Sequence, residues 1–261
     1  MGKMTENRSS IENVTPLIVT ASIHSSHTVR DELEPLLALA GEERLREEDP
    51  YTDLFGDFAA ARITGRKSRF ETDLNRPREK AVYLGPEDAW GLKVWKSRPA
   101  PDVIQRSLNE YDQFYQAAGE LLNRVSSEYS PVVVLDIHSY NHRRLGPDAP
   151  FDDPDLNPDI NVGTGTMRDR ARWDGLIECC IRSLREHNYQ GRNLDVRENV
   201  KFRGGRFPGW IHSNFPDSVC CISLEVKKFF MDEWSGEPDL EQVEEIRKMF
   251  KAASDSLLEE A

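Results

Sequence analysis

Three of the six histidines in this 261-residue chain stand at the ends of apolar segments. His24 and His27 follow the run 16–23, and His138 ends the run 131–137; such short runs between turn signals are typical of buried strands. Catalytic zinc sites use three protein ligands, and neutral imidazoles are suitable ones. If a helical turn follows the first strand, His24 and His27 face one point. The pattern therefore predicts a metal site with these three histidines as ligands.

Two acidic residues accompany the apolar segments. Asp136 lies two residues before His138, so in a strand both side chains point to the same face, and Asp136 would orient this ligand or bind the metal itself. Glu225 ends a further apolar strand, 219–226, just before two lysines. Burial near a metal raises the pKa of a glutamate towards neutrality, which suits a general base. The alternative is a salt bridge from Glu225 to a neighbouring lysine or arginine.

A second group of residues is suited to binding an anion. Arg69, Asn75 and Arg76 lie within eight residues, and Arg203 and Arg206 flank two glycines. A guanidinium binds a carboxylate through two parallel hydrogen bonds, and an asparagine amide beside it polarises a carbonyl. Surface ion pairs with the many acids are the alternative. The coincidence with the metal-bearing strands favours a substrate that carries a carboxylate.

Composition excludes several classes of protein. The net charge of −12 argues against a nucleic-acid partner. No apolar run approaches the roughly 18 residues of a membrane span, and the first residues lack the apolar segment of a secretory signal, so we expect 1–14 to be a disordered lead. The adjacent cysteines at 179–180 and 220–221 lack the Cys-x-x-Cys spacing, which predicts buried thiols in a reducing, cytoplasmic compartment.

Short apolar runs alternate with amphipathic segments along the chain. This alternation predicts one domain with a layered α/β sheet. The strands are expected at 16–23, 131–137 and 219–226, with extended chain from residue 69 to 77. The helices are expected at 31–48, 102–129, 173–187 and 239–258, with a long loop at 141–160 and a flexible basic turn at 201–206.

The motifs, in chain order, resemble the N-formylglutamate amidohydrolase family over about residues 15–235. They are His24-Ser-Ser, Glu48-Asp49-Pro-Tyr-Thr-Asp53, Ser68-Arg-Phe-Glu-Thr-Asp-Leu-Asn-Arg-Pro77, Asp136-Ile-His-Ser139, Phe202-Arg-Gly-Gly205 and Ser223-Leu-Glu225. The resemblance implies a fold related to zinc carboxypeptidases and aspartoacylase-type deacylases, with a mixed central sheet flanked by helices in a catalytic domain at 15–258. It also implies one catalytic zinc and hydrolysis of an amide on an amino-acid-like substrate.

The resemblance also assigns roles by position. His24 and His138 match metal ligands, and Glu225 matches the acid that activates water. The residues that match substrate-binding positions are Arg69, Asn75 and Arg76, with Arg203 as a further anion contact and Arg76 counted also as catalytic. Related deacylases use His-x-x-Glu for their first two ligands, whereas His27 fills that spacing here. The third ligand is therefore open: His27 is the first choice, Asp53 the second, and Asp49 lies in the same region.

These observations lead to one hypothesis with two alternatives. The hypothesis is a hydrolase with one Zn²⁺ or other divalent ion, which cleaves the formyl or similar N-acyl amide of a carboxylate-bearing amino acid such as N-formylglutamate. Its partner would then be a small-molecule substrate. One alternative is a carboxypeptidase-like peptidase acting on short peptides, and the other is a non-catalytic, metal-dependent binding protein.

Overall fold

A single six-stranded sheet forms the centre of the protein, whose computed structural model describes residues 15–260. The strands are β1 (Leu17–Ser22), β2 (Ala61–Thr64), β3 (Val132–Tyr140), β4 (Ile160–Gly163), β5 (Val196–Glu198) and β6 (Val219–Lys227). Their order in the sheet is β2-β1-β3-β6-β4-β5. Neighbouring strands are parallel except for β4 and β6, so the predicted mixed sheet is confirmed. The expected disordered lead at 1–14 lies outside the described residues.

Strand β3 shows why the apolar run forms the middle of the sheet. All nine of its residues are buried. Because side chains alternate along a strand, Val133, Leu135 and Ile137 pack on one face, whereas Val132 and Val134 pack on the other. A strand covered on both faces has apolar residues at successive positions, and this explains the uninterrupted apolar run at 132–135 that begins β3.

Residues 15–260 contain six α-helices, and five of them cover the two faces of the sheet. The six helices are α1 (Gly41–Glu47), α2 (Thr52–Phe55), α3 (Pro101–Glu128), α4 (Asp174–Glu186), α5 (Arg206–Asn214) and α6 (Leu240–Glu260). Helices α2, α4 and α6 pack on one face, and α3 and α5 on the other. The four cysteines are buried and free, as expected. Within 15–260, none of the helices has the length and apolar content needed to cross a membrane.

The region between β1 and α3 differs most from expectation. The predicted helix at 31–48 was wrong in its first half: the chain forms only a short 3-10 turn at Glu34–Leu36, and α1 begins at Gly41. Pro35 has no N–H to donate, and Leu37 pairs with Trp95 instead of continuing a helix. The expected extended chain from 69 to 77 consists mainly of turns. This irregular region has its own apolar cluster, built around Phe70 and Tyr83.

Candidate metal centre

The carboxyl ends of three parallel strands bring the chemistry-bearing residues together. Along β3 and β6, His138 lies directly opposite Glu225. Strand β1 pairs with the other side of β3 and ends at Ser22, two residues before His24. Ligands of open α/β sheets bind at this edge. The two histidines expected at separate strand ends are therefore neighbours, with ring centroids 5.1 Å apart.

His24, Asp49 and His138 form a buried group with the geometry of a metal site. One potential ligand atom from each residue lies within 4.8 Å of the others. Asp49 Oδ2 is 2.9 Å from His138 Nδ1 and 3.4 Å from His24 Nδ1. All three residues are nearly inaccessible, with 1–3% exposure.

Asp49 is held in place by its main chain. Its N–H donates to the carbonyl of His24 at 3.0 Å, and its own carbonyl accepts from the hydroxyl of Thr52 at 2.7 Å. The buried ammonium of Lys228, which follows β6, donates to the carbonyl of Glu48 at 2.7 Å. The segment between α1 and α2 is thus attached to the ends of both β1 and β6, which places the Asp49 carboxylate between the two imidazoles.

A second carboxylate orients each imidazole. His24 Nε2 is 2.8 Å from Asp73, and His138 Nε2 is 3.1 Å from Asp136. Ionised carboxylates only accept hydrogen bonds, so both Nε2 atoms carry protons, and Nδ1 of each ring faces Asp49. His138 Nδ1 also donates to Asp49, and a bound cation would replace that proton. Carboxylates that fix the tautomer of a ligand histidine in this way are typical of metal sites.

One buried atom of the group lacks a partner. His24 Nδ1 is inaccessible and has no hydrogen bond to any residue of the described chain. Since Nε2 of the same ring carries its proton, Nδ1 offers a lone pair towards Asp49. A buried acceptor without a donor is unfavourable, and a cation would satisfy it. Two imidazoles and a carboxylate are also a donor set of catalytic zinc sites, so these residues fit such an ion.

The electrostatics of the group favour a cation. Burial alone would raise the pKa of Asp49, but the hydrogen bond from His138 and the nearby His24 imidazole lower it well below its usual range. Burial alone would lower the pKa of His138, but the carboxylates of Asp136 and Glu225 raise it well above its usual value. The cluster therefore stabilises positive charge at the position where Nδ1 of each ring meets Asp49.

Glu225 lies near this group and has a raised pKa. Burial is the largest cause that raises its pKa, to about 7, and the nearby carboxylates of Asp49 and Asp136 add to the effect. The two lysines that follow it are engaged elsewhere: Lys227 pairs with Asp159 at 2.8 Å, and Lys228 binds main-chain carbonyls. No ion pair joins Glu225 to a lysine or arginine of residues 15–260, so the expected alternative of a salt bridge to a neighbouring lysine or arginine is not observed there.

The structure does not bring His27 or Asp53 into the group, and Asp49 occupies the position expected for them. Irregular chain, not a helical turn, follows His24, so His27 turns away and binds Glu48 at 2.5 Å with 42% of its side chain exposed. Asp53 is exposed on α2. Four acids lie between residues 47 and 53, and no periodicity distinguishes Asp49 among them. The feature that identifies Asp49 is its main-chain hydrogen bond to His24, and this contact is visible only in the folded chain.

Three of the expected anion-binding residues, Arg69, Asn75 and Arg76, contact Asp73, which binds His24. Arg69 is largely fixed, since it donates to Asp73 at 2.9 Å and to the carbonyl of Glu47 at 3.1 Å. Arg76 is freer: 39% of its side chain is exposed, and its Nε is 3.9 Å from Asp73. The guanidinium of Arg203 is exposed, and no ion pair joins it to residues 15–260.

Asn75 is oriented by a glycine. Its Oδ1 accepts from the N–H of Phe207 at 3.0 Å, so its amide NH₂ points away from that contact. A Cβ at Gly205 would lie 2.3 Å from Oδ1 of Asn75. Only glycine permits this approach. Gly205 also directly precedes α5, which begins at Arg206, where the sequence had predicted only a flexible turn.

The fold and the site together define an α/β protein with a buried candidate centre of two histidines and one aspartate at the carboxyl edge of its sheet. The family model described as N-formylglutamate amidohydrolase matches residues 15–231. Because that match covers most of the chain, the protein belongs to this family of amidohydrolases. The family resemblance recognised in the sequence is confirmed.

Solved structures of two bacterial proteins share the fold. An N-formylglutamate amidohydrolase from Ralstonia eutropha JMP134 aligns over 95% of this chain and 94% of its own, with a TM-score of 0.70 and 18% identity. A gene product of Agrobacterium tumefaciens aligns over 93% and 92%, with a TM-score of 0.58 and 20% identity. A metallo-carboxypeptidase from Pseudomonas aeruginosa aligns over 96% and 60% at a TM-score of only 0.36 and 12% identity. No curated protein matches the chain.

Proposed function

We propose that this protein is a zinc-dependent hydrolase that cleaves the N-formyl or similar N-acyl amide of a carboxylate-bearing amino acid such as N-formylglutamate. The observation that carries the proposal is the buried, unpartnered Nδ1 of His24 beside Asp49 and His138, with Glu225 on the adjoining strand. Membership of the amidohydrolase family supports the type of bond.

His24, Asp49 and His138 would hold the ion, through Nδ1 of each imidazole and the Asp49 carboxylate. When bound, a divalent cation supplies a Lewis acid that polarises a carbonyl and makes water more acidic. The Asp49 carboxylate leaves the ion less electrophilic than the three neutral imidazoles expected from the sequence. Asp73 and Asp136 keep both rings in the tautomer that presents Nδ1.

Glu225 acts as the general base. It accepts a proton from the water that attacks the acyl carbon and then delivers that proton to the leaving amine. With a pKa of about 7, the carboxylate is basic enough to accept the proton and, once protonated, acidic enough to release it. Glu225 lies opposite His138 on the neighbouring strand, at the same edge of the sheet as the candidate ligands, and this position supports the role of general base.

Arg76 and Asn75 recognise the substrate. The guanidinium of Arg76 is partly exposed, which leaves N–H groups for a substrate carboxylate. The NH₂ group of Asn75, oriented by the Phe207 N–H, donates to a substrate oxygen. Arg203 adds a cation at the exposed side, whereas Arg69 acts mainly by fixing Asp73 and the main chain of Glu47.

The substitution Glu225→Gln tests the proposal, because it removes the base and keeps the size of the side chain. We expect zinc content and thermal stability to stay unchanged while turnover of N-formylglutamate falls by about 10²- to 10⁴-fold. Glu259→Gln, at an exposed acid near the end of α6, is the matched control and should leave turnover unchanged. Full activity of Glu225→Gln would contradict the assigned base.

The substrate class needs a separate assay. The zinc-loaded protein should hydrolyse N-formylglutamate faster than its dimethyl ester, because the diester has no carboxylate for Arg76 to bind. Unmodified dipeptides should be poor substrates. Hydrolysis of dipeptides without any hydrolysis of N-acyl amino acids would contradict the proposal and favour a peptidase.

A further inference from the structure

A second polar cavity lies away from the candidate metal centre. It occupies about 440 Å³ between the edge strand β2 and helix α3, a volume within the range of small-molecule sites. Its inner wall includes Thr72 and Leu74, the residues on either side of Asp73. Since Asp73 directs its carboxylate to His24, the chain at 72–74 separates the cavity from the metal centre.

The charge of this cavity is unusual for so acidic a protein. Arg62, Arg66 and Lys67 line it, together with a single acid, Glu110. None of these three cations forms an ion pair within residues 15–260, although the chain has 46 acidic residues against 34 basic ones. A concavity lined by three cations and one acid carries a net positive charge, which attracts an anion.

A buried hydroxyl provides an independent sign of a ligand. Thr72 is 2% exposed, and its Oγ1 is inaccessible and lacks a hydrogen-bond partner in the described chain. Buried polar groups in folded proteins are nearly always bonded, and an unbonded one calls for an explanation. Once the side chains that cover it move aside, the hydroxyl can donate to an anionic oxygen, which the lining cations would also attract.

The rest of the lining is apolar. Ile63 from β2, Leu74, and Phe114 and Leu121 from α3 contribute to the wall. These side chains belong to or pack against the apolar cluster between α3 and the sheet. Inorganic phosphate would leave this part of the wall uncovered, whereas an alkyl or aryl group would cover it.

We propose that this cavity is a second binding site, for a small amphipathic carboxylate whose apolar body lies against α3. Its head group is recognised by Arg66, Lys67 and the Thr72 hydroxyl. The ligand differs in placement from the substrate proposed for the metal centre, because Arg76 and Asn75 do not line this cavity.

Calorimetric titration with octanoate tests the proposal, with octanamide as a neutral probe of the same length. Octanoate should bind the zinc-loaded protein at least about tenfold more tightly than octanamide, since only octanoate carries a negative charge that attracts the lining cations. Arg76→Gln controls for octanoate bound at the metal centre and should leave this binding unchanged. Loss of all octanoate binding in Arg76→Gln would overturn the proposal.

Substitutions of the lining give effects of opposite sign. Arg66→Gln and Thr72→Val should each weaken octanoate binding, by about tenfold for the cation and about fivefold for the hydroxyl. Glu110→Gln removes the one opposing charge in the lining and should strengthen octanoate binding about twofold.

A bulky side chain in the cavity tests its location directly. Ala117→Trp, at an exposed α3 position that lines the cavity, should block binding while the fold is kept. Binding that none of these changes alters would place octanoate elsewhere and contradict the proposal.

Discussion

Two regions of this protein concentrate charge, and they neutralise it differently. At the metal centre, each imidazole has its own aspartate, and Asp49 lies between the rings. In the cavity beside β2, three cations have no ion pair within the described residues. Each region contains one buried polar atom without a partner, His24 Nδ1 in the first and Thr72 Oγ1 in the second.

The difference shows what kind of ligand each region suits. An acceptor surrounded by carboxylates in a closed network has room for a small cation and favours it electrostatically. A donor at the wall of an open, cationic and partly apolar cavity suits a larger organic anion. The arrangement of charge around the unpartnered atom, more than the atom itself, therefore indicates the ligand.

The largest effect is expected at the metal centre. His138→Ala removes one ligand atom and should reduce zinc content to near zero and turnover of N-formylglutamate by about 10³-fold or more. Elemental analysis and initial rates measure the two quantities. His187→Ala, at a half-buried histidine outside the group, is the control. If His138→Ala keeps its zinc content and turnover, the assignment of a cation to this region and of an anion to the cavity beside β2 would lose its basis.

The aspartates behind the rings should have a smaller effect. Asp136→Asn keeps the shape of the side chain but weakens the hydrogen bond that orients His138, so zinc affinity should fall by about 10- to 100-fold. Competition with a fluorescent chelator measures the affinity. Asp112→Asn, at an exposed acid paired with Arg78, should leave it unchanged. Equal zinc affinities for Asp136→Asn and the unmodified protein would show that the orienting carboxylate is dispensable.

The pH dependence of kcat/KM tests the base. Burial raises the pKa of Glu225 to about 7, and only its deprotonated form accepts a proton from water. Activity should therefore be complete above this pH and fall about tenfold per pH unit below it. The residual activity of Glu225→Gln should lack this acidic limb. Persistence of the limb in that variant would assign it to another group.

The smallest expected effect is on the free energy of unfolding, and it comes from removing one buried threonine hydroxyl in each region. Thr52→Val removes a hydroxyl that donates to the Asp49 carbonyl, and should lower the free energy of unfolding by about 1–2 kcal/mol. Thr72→Val removes an unpartnered hydroxyl and should change it by less than about 0.5 kcal/mol or increase it. Urea denaturation of both variants without added carboxylate measures the difference. If Thr72→Val lowers the free energy of unfolding by more than about 0.5 kcal/mol, the Thr72 hydroxyl already has a hydrogen-bond partner within the protein.

The parts of the fold that the sequence predicted are those with a strong local pattern. Strands β1, β3 and β6 are apolar runs, and α3, α4 and α6 are long amphipathic segments, so all six were expected near their observed bounds. Strands β2, β4 and β5 have only three or four residues each, too few for a periodicity to appear. Helix α5 was missed because two glycines precede it and Pro208 lies in its first turn.

The candidate site was predictable to a similar degree. His24, His138 and Glu225 follow or end apolar strands, and parallel strands bring their carboxyl ends together. His27 was expected to be a ligand on the condition that a helical turn follows β1, and the chain does not form one. The position of Asp49 depends on how the segment between α1 and α2 folds back on the end of β1, and no local sequence pattern predicts this contact.

The pair His24→Ala and His27→Ala tests the central claim most directly, because the two histidines are three residues apart and differ in whether they face Asp49. Elemental analysis should find about one zinc per chain in the unmodified protein and in His27→Ala, and almost none in His24→Ala. Retention of zinc by His24→Ala, or its loss from His27→Ala, would contradict the proposed ligand set.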